Sequence, residues 1–221
     1  MRVMPTSPAS LSFDHDRPFR YVGGDPSIDL VNTADWTDRG LENDRLTGYD
    51  RLTQWAEGAG VVAATDAKRL RALAAEHPRS SRAAYEAARR LRAVFQSVFS
   101  AVARGTPFGP ELGELNAALA DALGRAELAP GRSGVGQGAL VWTWRGWGER
   151  FESILWPVTW SAASLLQSAE AARLRVCGGP GCGWMYVDRS RNRLRRWCQM
   201  DVCGTKEKTR RRRERARRGG G

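Results

Sequence analysis

Residues 177–215 read CGGPGCGWMYVDRSRNRLRRWCQMDVCGTKEKTRRRRER and hold all four cysteines of the 221-residue chain. The spacing is Cys177-x4-Cys182-x15-Cys198-x4-Cys203. Zinc takes four N or S ligands in a tetrahedron. Two short-spaced pairs separated by a loop deliver them, because each pair comes from one tight turn. Gly178, Gly179, Pro180 and Gly181 let the first turn fold back on itself. Four reduced structural cysteines, or two disulfides, are the alternatives. The N-terminus has no apolar leader segment and no window reads as a membrane span, so a soluble, cytoplasmic protein is expected. Thiols stay reduced there, which weighs against disulfides. Four thiolates close the coordination sphere, so the expected cofactor is one structural Zn2+. The segment 177–203 has little core of its own, and metal binding should supply much of its folding free energy. Neither His15 nor His77 has a plausible partner for a metal, and both read as surface residues.

Outward from the cysteines, charge is the next signal. The formal net charge is +11. Residues 188–218 contain 14 Lys and Arg against four acids, while the rest of the chain carries 21 basic and 20 acidic groups. A charge confined to one segment points to a polyanion partner. After Cys203 the run GTKEKTRRRRERARR has no Pro or Gly before Gly219 and reads as a helix. Lys206, Arg210, Arg213 and Arg217 then fall at i, i+4, i+7 and i+11 and form one basic stripe. Glu207 can pair with Arg211, and Glu214 with Arg218. Arg189, Arg191, Arg193 and Arg195 alternate along the preceding loop and would make a second row of cations if it is extended. With Arg196, Lys208 and Arg211, these are the candidate nucleic-acid-binding residues. The tail has few Asn or Gln to read adenine, so phosphate contacts should dominate. A solvated charge run without a partner is the plain alternative.

The body of the chain reads as mostly helical. Residues 1–18 are rich in Pro and Ser and are expected to be disordered. Phe19–Val22 could be a short strand. Pro26 opens a helix running to about Asp35, followed by a polar loop, TDRGLENDRL. Leu52, Trp55 and Ala59 place a helix over 48–58, and Thr65-Asp66 cap another that reaches Glu76. Residues 80–104 carry the clearest pattern: Ala84, Ala88, Leu91, Phe95, Val98, Phe99 and Val102 share one face. Pro110 starts a helix with Leu112, Leu115, Leu119, Ala122 and Leu123 inward, closed by Gly124. AELAP, a Gly-rich turn and ALVWTW predict a β-hairpin. Residues 149–168 look helical, with Pro157 forcing a kink or boundary, and 168–174 make one more short helix. Trp142, Trp144, Trp147, Trp156 and Trp160 read as core between hairpin and helix, a ligand cage being the alternative. The expected fold class is mainly α with a small β-hairpin (α+β). The expected units are a disordered tail at 1–18, a helical domain at 19–172, and a four-cysteine finger with a basic C-terminal helix at 173–218.

Around the cysteines the sequence resembles the CGNR zinc-finger family. The resemblance rests on the two Cys pairs, Trp184, Tyr186, Asp188, Ser190, Asn192, Arg195-Arg196-Trp197-Cys198, Met200 and Cys203-Gly204 before a basic helix. The family's Cys-Gly-Asn-Arg is here Cys203-Gly204-Thr205-Lys206, and Lys206 keeps the charge without the planar fork of Arg. Upstream, Gly23-Gly24 and Asp29-Leu30-Val31-Asn32-Thr33 resemble the start of the ABATE-type domain that usually precedes this finger. The resemblance implies a stress-induced transcriptional regulator.

The expectation is therefore a zinc-dependent DNA-binding regulator, with an RNA-binding or ribosome-associated protein as the alternative. In that alternative Trp184 and Tyr186 could stack on bases, although packing of the finger's hairpin is the plainer role. Asp29, Asn32 and Thr33 are polar residues in an apolar helix. They form a candidate pocket for a small-molecule ligand or, more plainly, fix the fold through capping and buried hydrogen bonds. No Ser/His/Asp set, Cys/His pair or second metal cluster is evident, so no enzymatic activity is expected. Oligomeric state is left open.

Overall fold

The computed structural model describes residues 12–13, 18–37, 40–131 and 140–218. The protein is built around α4 (Pro78–Arg104), the longest helix. Pro78 sits in its first turn, where a missing N–H costs nothing. Gly105, with φ +65°, ends it in the left-handed region, and its N–H bonds back to the carbonyls of Ala101 and Val102. Ala84, Ala88, Leu91, Phe95, Val98 and Phe99 are buried, as their spacing requires. Against α4 lie α1 (Pro26–Val31), α2 (Tyr49–Gly58), α3 (Ala64–Glu76), α5 (Glu111–Arg125) and a 3-10 turn at Phe151–Ile154. The helix α6 (Leu155–Gln167) packs on α1 and α5. This is the predicted mainly α fold with small strand pairs.

The differences from expectation concern element ends. Helix α1 stops at Val31, not Asp35. The Thr33 hydroxyl donates to the Leu30 carbonyl at 2.7 Å, which competes with helix continuation. The expected polar loop is instead a hairpin: β2 (Ala34–Thr37) pairs antiparallel with β3 (Gly40–Asp44). Its alternation was hidden because its buried terminal residue is Asp44, a charge held by Arg92 and Arg89. Much of the disorder expected for 1–18 falls outside the described residues, as does His15. Ser12–Phe13, however, form β1, parallel to β3. Phe19–Val22 is irregular, and Phe19 lies under the Arg51 guanidinium, 4.2 Å from its ring centroid.

Helix α3 begins at Ala64 without a side-chain cap, and Asp66 instead accepts from the Trp147 indole at 3.0 Å. Leu123 is exposed where it was expected inward. Of the kink or boundary expected at Pro157, the structure has the boundary: the 3-10 turn ends at Ile154 and α6 starts at Leu155, which places Pro157 in its first turn. The short helix expected at 168–174 shrinks to a 3-10 turn at Ala171–Arg173, and Leu174–Val176 form a strand. The predicted hairpin is β4 (Ala126–Pro130) with β5 (Leu140–Trp144), and Leu128 faces Trp142 across it. Of the tryptophans, Trp156 is buried and bonds Asp121, whereas Trp142 is exposed and packs its ring on Trp160 at 4.9 Å. His77 stands between α3 and α4.

The finger's own hairpin, β6 (Leu174–Val176) with β7 (Met185–Val187), belongs to the main core. Leu174, Met185 and Val187 pack in one apolar cluster with Ile28, Leu30 and Phe95. The chain after 172 is thus sealed against the body by apolar burial as well as by sequence continuity.

Candidate metal centre and basic helix

Each cysteine pair is presented by a turn that the neighbouring backbone holds. Cys177 follows β6, and its N–H bonds the Trp184 carbonyl at 2.8 Å. The Gly178 N–H reaches the Arg196 carbonyl, tying the first turn to the second. Gly183 donates to the Trp36 carbonyl at 2.7 Å, and a Cβ there would stand 2.6 Å from that oxygen, so only glycine allows the approach. In the second pair Cys198 precedes a π-helical turn, Met200–Gly204, and Cys203 lies within it, where the N–H groups of Cys203 and Gly204 share the Gln199 carbonyl.

The four Sγ atoms lie within 4.8 Å of one another. Cys182 and Cys198 are 3.9 Å apart, and Cys198 and Cys203 are 3.6 Å apart. A tetrahedron with Zn–S near 2.3 Å has edges of about 3.8 Å. The donor set therefore fits one zinc ion, and none of the four is in a disulfide. Cys177 Sγ also accepts N–H bonds from Cys198 and Gly179 at 3.2 and 3.4 Å. Hydrogen bonding from the Cys182 and Cys198 thiols to this sulfur holds Cys177 well below the usual thiol range. The same sharing raises Cys182 and Cys198, while burial raises Cys203. Four sulfurs this close cannot all be anionic without a cation, and a divalent ion removes that conflict. With all four positions filled by sulfur, the ion's work is structural.

Between the pairs, residues 189–196 form a braced turn, not the extended row of cations expected. Arg195 points inward. Its guanidinium lies 4.0 Å from the centroid of the Tyr186 ring and bonds the carbonyls of Val22, Trp197 and Cys198. Arg189 is held by Glu170 and the Gly24 carbonyl. Arg191, Arg193 and Arg196 remain exposed. Arg196 stacks at 5.4 Å on Trp197. Trp184 and Tyr186 are buried: the Trp184 indole donates to the Ala34 carbonyl and the Tyr186 hydroxyl to the Arg195 carbonyl. They pack the finger and offer no face for base stacking.

The basic run forms α7 (Thr205–Arg218), which starts directly after Cys203-Gly204. The zinc site is its anchor. Lys206, Arg210, Arg213 and Arg217 line one side of it, as the spacing requires. Glu207 is buried between Arg210 and Arg211, at 2.8 and 2.7 Å, and these two hydrogen bonds push its carboxyl down to about 2. The expected Glu207–Arg211 pair is present and Glu214 pairs with Arg210, while the expected Glu214–Arg218 pair falls on a side chain outside the described residues. Among the described residues, no carboxylate pairs with Lys206, Lys208, Arg213 or Arg217.

Asp29, Asn32 and Thr33 sit at the seam between body and finger, with their polar atoms turned to backbone and side chains. Asp29 accepts from the Gly23 N–H at 2.8 Å, and burial raises its carboxyl to about 7. Thr33 receives Arg92 at 2.9 Å. Asn32 donates to the Met185 carbonyl and accepts from the Met185 N–H, both at 2.9 Å, so its amide acts as an extra strand partner for β7. Sequence reasoning offered a candidate pocket or, more plainly, buried hydrogen bonds that fix the fold; the Asn32 bonds are of the second kind, to a partner 153 positions away that the sequence could not name. A cavity of about 340 Å3 does open nearby, between the β2–β3 hairpin and the zinc turns, where Asp35, Trp36, Arg45, Trp184 and Lys206 line it. No motif in the sequence marked it. Replacing Asn32 by Ala leaves a buried peptide group unpaired, and a loss of about 2–4 kcal/mol is expected. Chemical denaturation of the zinc-loaded chain measures it, and a loss under ~0.5 kcal/mol would contradict a structural role for that side chain.

Two family models match the chain. One, ABATE, described as "Putative stress-induced transcription regulator", covers residues 24–169, and the other, the CGNR zinc finger, covers residues 173–216. None of the curated proteins matches. Among the described residues, no helix is long and apolar enough to cross a membrane.

Proposed function

Since the chain belongs to the ABATE family, described as "Putative stress-induced transcription regulator", and carries a CGNR zinc finger at 173–216, we propose that it is a regulator that binds duplex DNA through α7, in a zinc-dependent way. The observation that carries this reading is the row of cations Lys206, Arg213 and Arg217 on a helix fixed at one end by the four-cysteine site. A helix with almost no apolar side chain cannot be retained by packing. Its free cations suit phosphate rails beside a major groove. Lys206 in place of the family's Arg gives a point charge, so contacts at this turn position the helix more than they read bases. A closed four-thiolate sphere leaves no open position for substrate, which supports a binding protein over an enzyme.

The test is salt dependence. With Lys206, Arg213, Arg217, Arg191, Arg193 and Arg196 each neutralising a phosphate, the slope of log K against log salt is about −5. Anisotropy titrations of a labelled duplex between ~50 and ~200 mM salt should show affinity falling by about 10³. Affinity that stays flat over that range would count against the reading. Competition by structured RNA separates DNA from RNA. The burial of Trp184 and Tyr186 favours DNA, because sequence-specific RNA binding leans on stacking aromatics.

The body's role in this reading is to sense a signal. The cavity between the β2–β3 hairpin and the zinc turns supports it better than the Asp29–Thr33 segment does. It reaches Lys206, the first cation of the stripe, so an occupant there would touch both units.

A further inference from the structure

The turn at 189–196 holds a side chain that no packing argument explains. Leu194 is 74% exposed, the most exposed large hydrophobic among the described residues. It is not on a slack linker. Asp188 accepts the N–H and hydroxyl of Ser190 through one carboxylate oxygen and the Arg195 N–H through the other. The Ser190 hydroxyl oxygen accepts the Leu194 N–H itself at 3.2 Å. Arg195 is locked beneath by Tyr186 and three carbonyls. Arg193, immediately before the leucine, has φ +53°, the one non-glycine residue with positive φ among the described residues. Such conformations persist only where the surroundings impose them, and they gather at functional positions. Close to the leucine along the chain, Arg191, Arg193 and Arg196 are exposed and have no carboxylate partners among the described residues.

An exposed apolar tip on a turn that also exposes three guanidinium groups suits a partner with anions outside and an apolar interior between them. Duplex DNA has that arrangement, with phosphate rails flanking a groove and stacked bases inside it. We propose that Leu194 is a wedge that enters the minor groove and partly unstacks one base step, while Arg191, Arg193 and Arg196 hold the phosphates beside it. Apolar wedges of this kind kink duplexes. Pyrimidine–purine steps, TA or CA/TG, give way most easily, so the wedge supplies a sequence preference without a base-edge hydrogen bond. The inference rests on the duplex-binding reading above and adds to it a mode of contact and a class of target step. It does not depend on α7, which tracks phosphates whether or not the wedge enters.

The test uses the full zinc-loaded chain and a short duplex with a central TA step, 2-aminopurine beside that step, and a dye pair at the ends. On saturation, 2-aminopurine emission should rise and the ends should approach. Leu194→Ala should keep salt-dependent binding but lose both signals, and Leu194→Phe should keep them. The preference for a TA-centred duplex over an unbroken GC run should be about tenfold in the native chain and absent in Leu194→Ala. An unchanged melting curve for Leu194→Ala is the control for folding. Equal unstacking by Leu194→Ala, or none by the native chain at saturation, overturns the wedge and leaves DNA binding intact. Failure to bind any duplex overturns the functional reading itself. Tighter, Leu194-dependent binding to single-stranded RNA overturns the wedge and assigns the turn to RNA.

Discussion

Removing zinc with a chelator, or replacing Cys177 and Cys182 by Ser, should unfold the segment from Cys177 onward and abolish polyanion binding by the ordered α7. Metal ligation in small zinc modules contributes on the order of 10 kcal/mol. Among the described residues the finger's private core is Cys177, Trp184, Tyr186, Cys198 and Cys203, with Val22, Cys182, Trp197 and Val202 half-buried against it, so three of its five members are cysteines of the metal site. Without the ion, four crowded thiols replace four bonds. The damage should not stop there, because Met185 and Val187 lie in the main core and Asn32 bonds the Met185 backbone. Loss of the turns at either end of β7 therefore weakens the body too. Amide exchange with and without chelator is the measurement. Protection should vanish over β7 and α7 and fall along α1. Full protection of β7 in metal-free protein would contradict the role given to zinc.

Asp44→Ala should be the most damaging single change in the body. The Asp44 carboxylate is fully buried at the end of β3. It takes both terminal nitrogens of Arg92, at 2.7 and 2.5 Å, the Arg89 Nε at 3.3 Å and the Leu46 N–H at 2.9 Å. The Arg92 side chain is 2% exposed, so removing the carboxylate strands a buried guanidinium. Breaking such a pair by one partner costs about 3–5 kcal/mol, whereas replacing both by apolar groups is often neutral. Denaturant unfolding of Asp44→Ala and of Asp44→Ala with Arg92→Leu checks this, since the double variant should recover much of the loss. A single variant within ~1 kcal/mol of the native chain would mean that the pair is solvated. The change should also reach the finger. Arg92 bonds Thr33, and Arg45 pairs with Asp35 while its guanidinium lies 5.1 Å from the Trp184 ring centroid.

The helices were legible because their signals are local. Apolar spacing, Pro at first turns and Gly105 at a C-terminus act within a few residues. The zinc ligands were legible because thiol chemistry and spacing narrow the choice to one site, and the stripe on α7 because a run without Pro or Gly fixes the angular positions of its cations. The β2–β3 hairpin was not legible. Its burial comes from an ion pair to a helix 48 residues away, which leaves no apolar alternation to read. The arginines at 189–195 looked equivalent in sequence, yet Arg195 braces the turn, Arg189 pairs with Glu170, and Arg191 and Arg193 stay free. The difference is set by Asp188 and Tyr186, which curl the backbone so that alternate side chains no longer share a side.

The sequence by itself determined the metal site, the basic helix and the helical class, because each follows from spacing within a short window. Only the tertiary structure decided how body and finger join. Asn32 reads as a polar residue out of place until Met185 is brought beside it, and Leu194 reads as one more loop residue until its exposure and its bracing are seen. Both depend on contacts between distant segments, and periodicity carries no information about those.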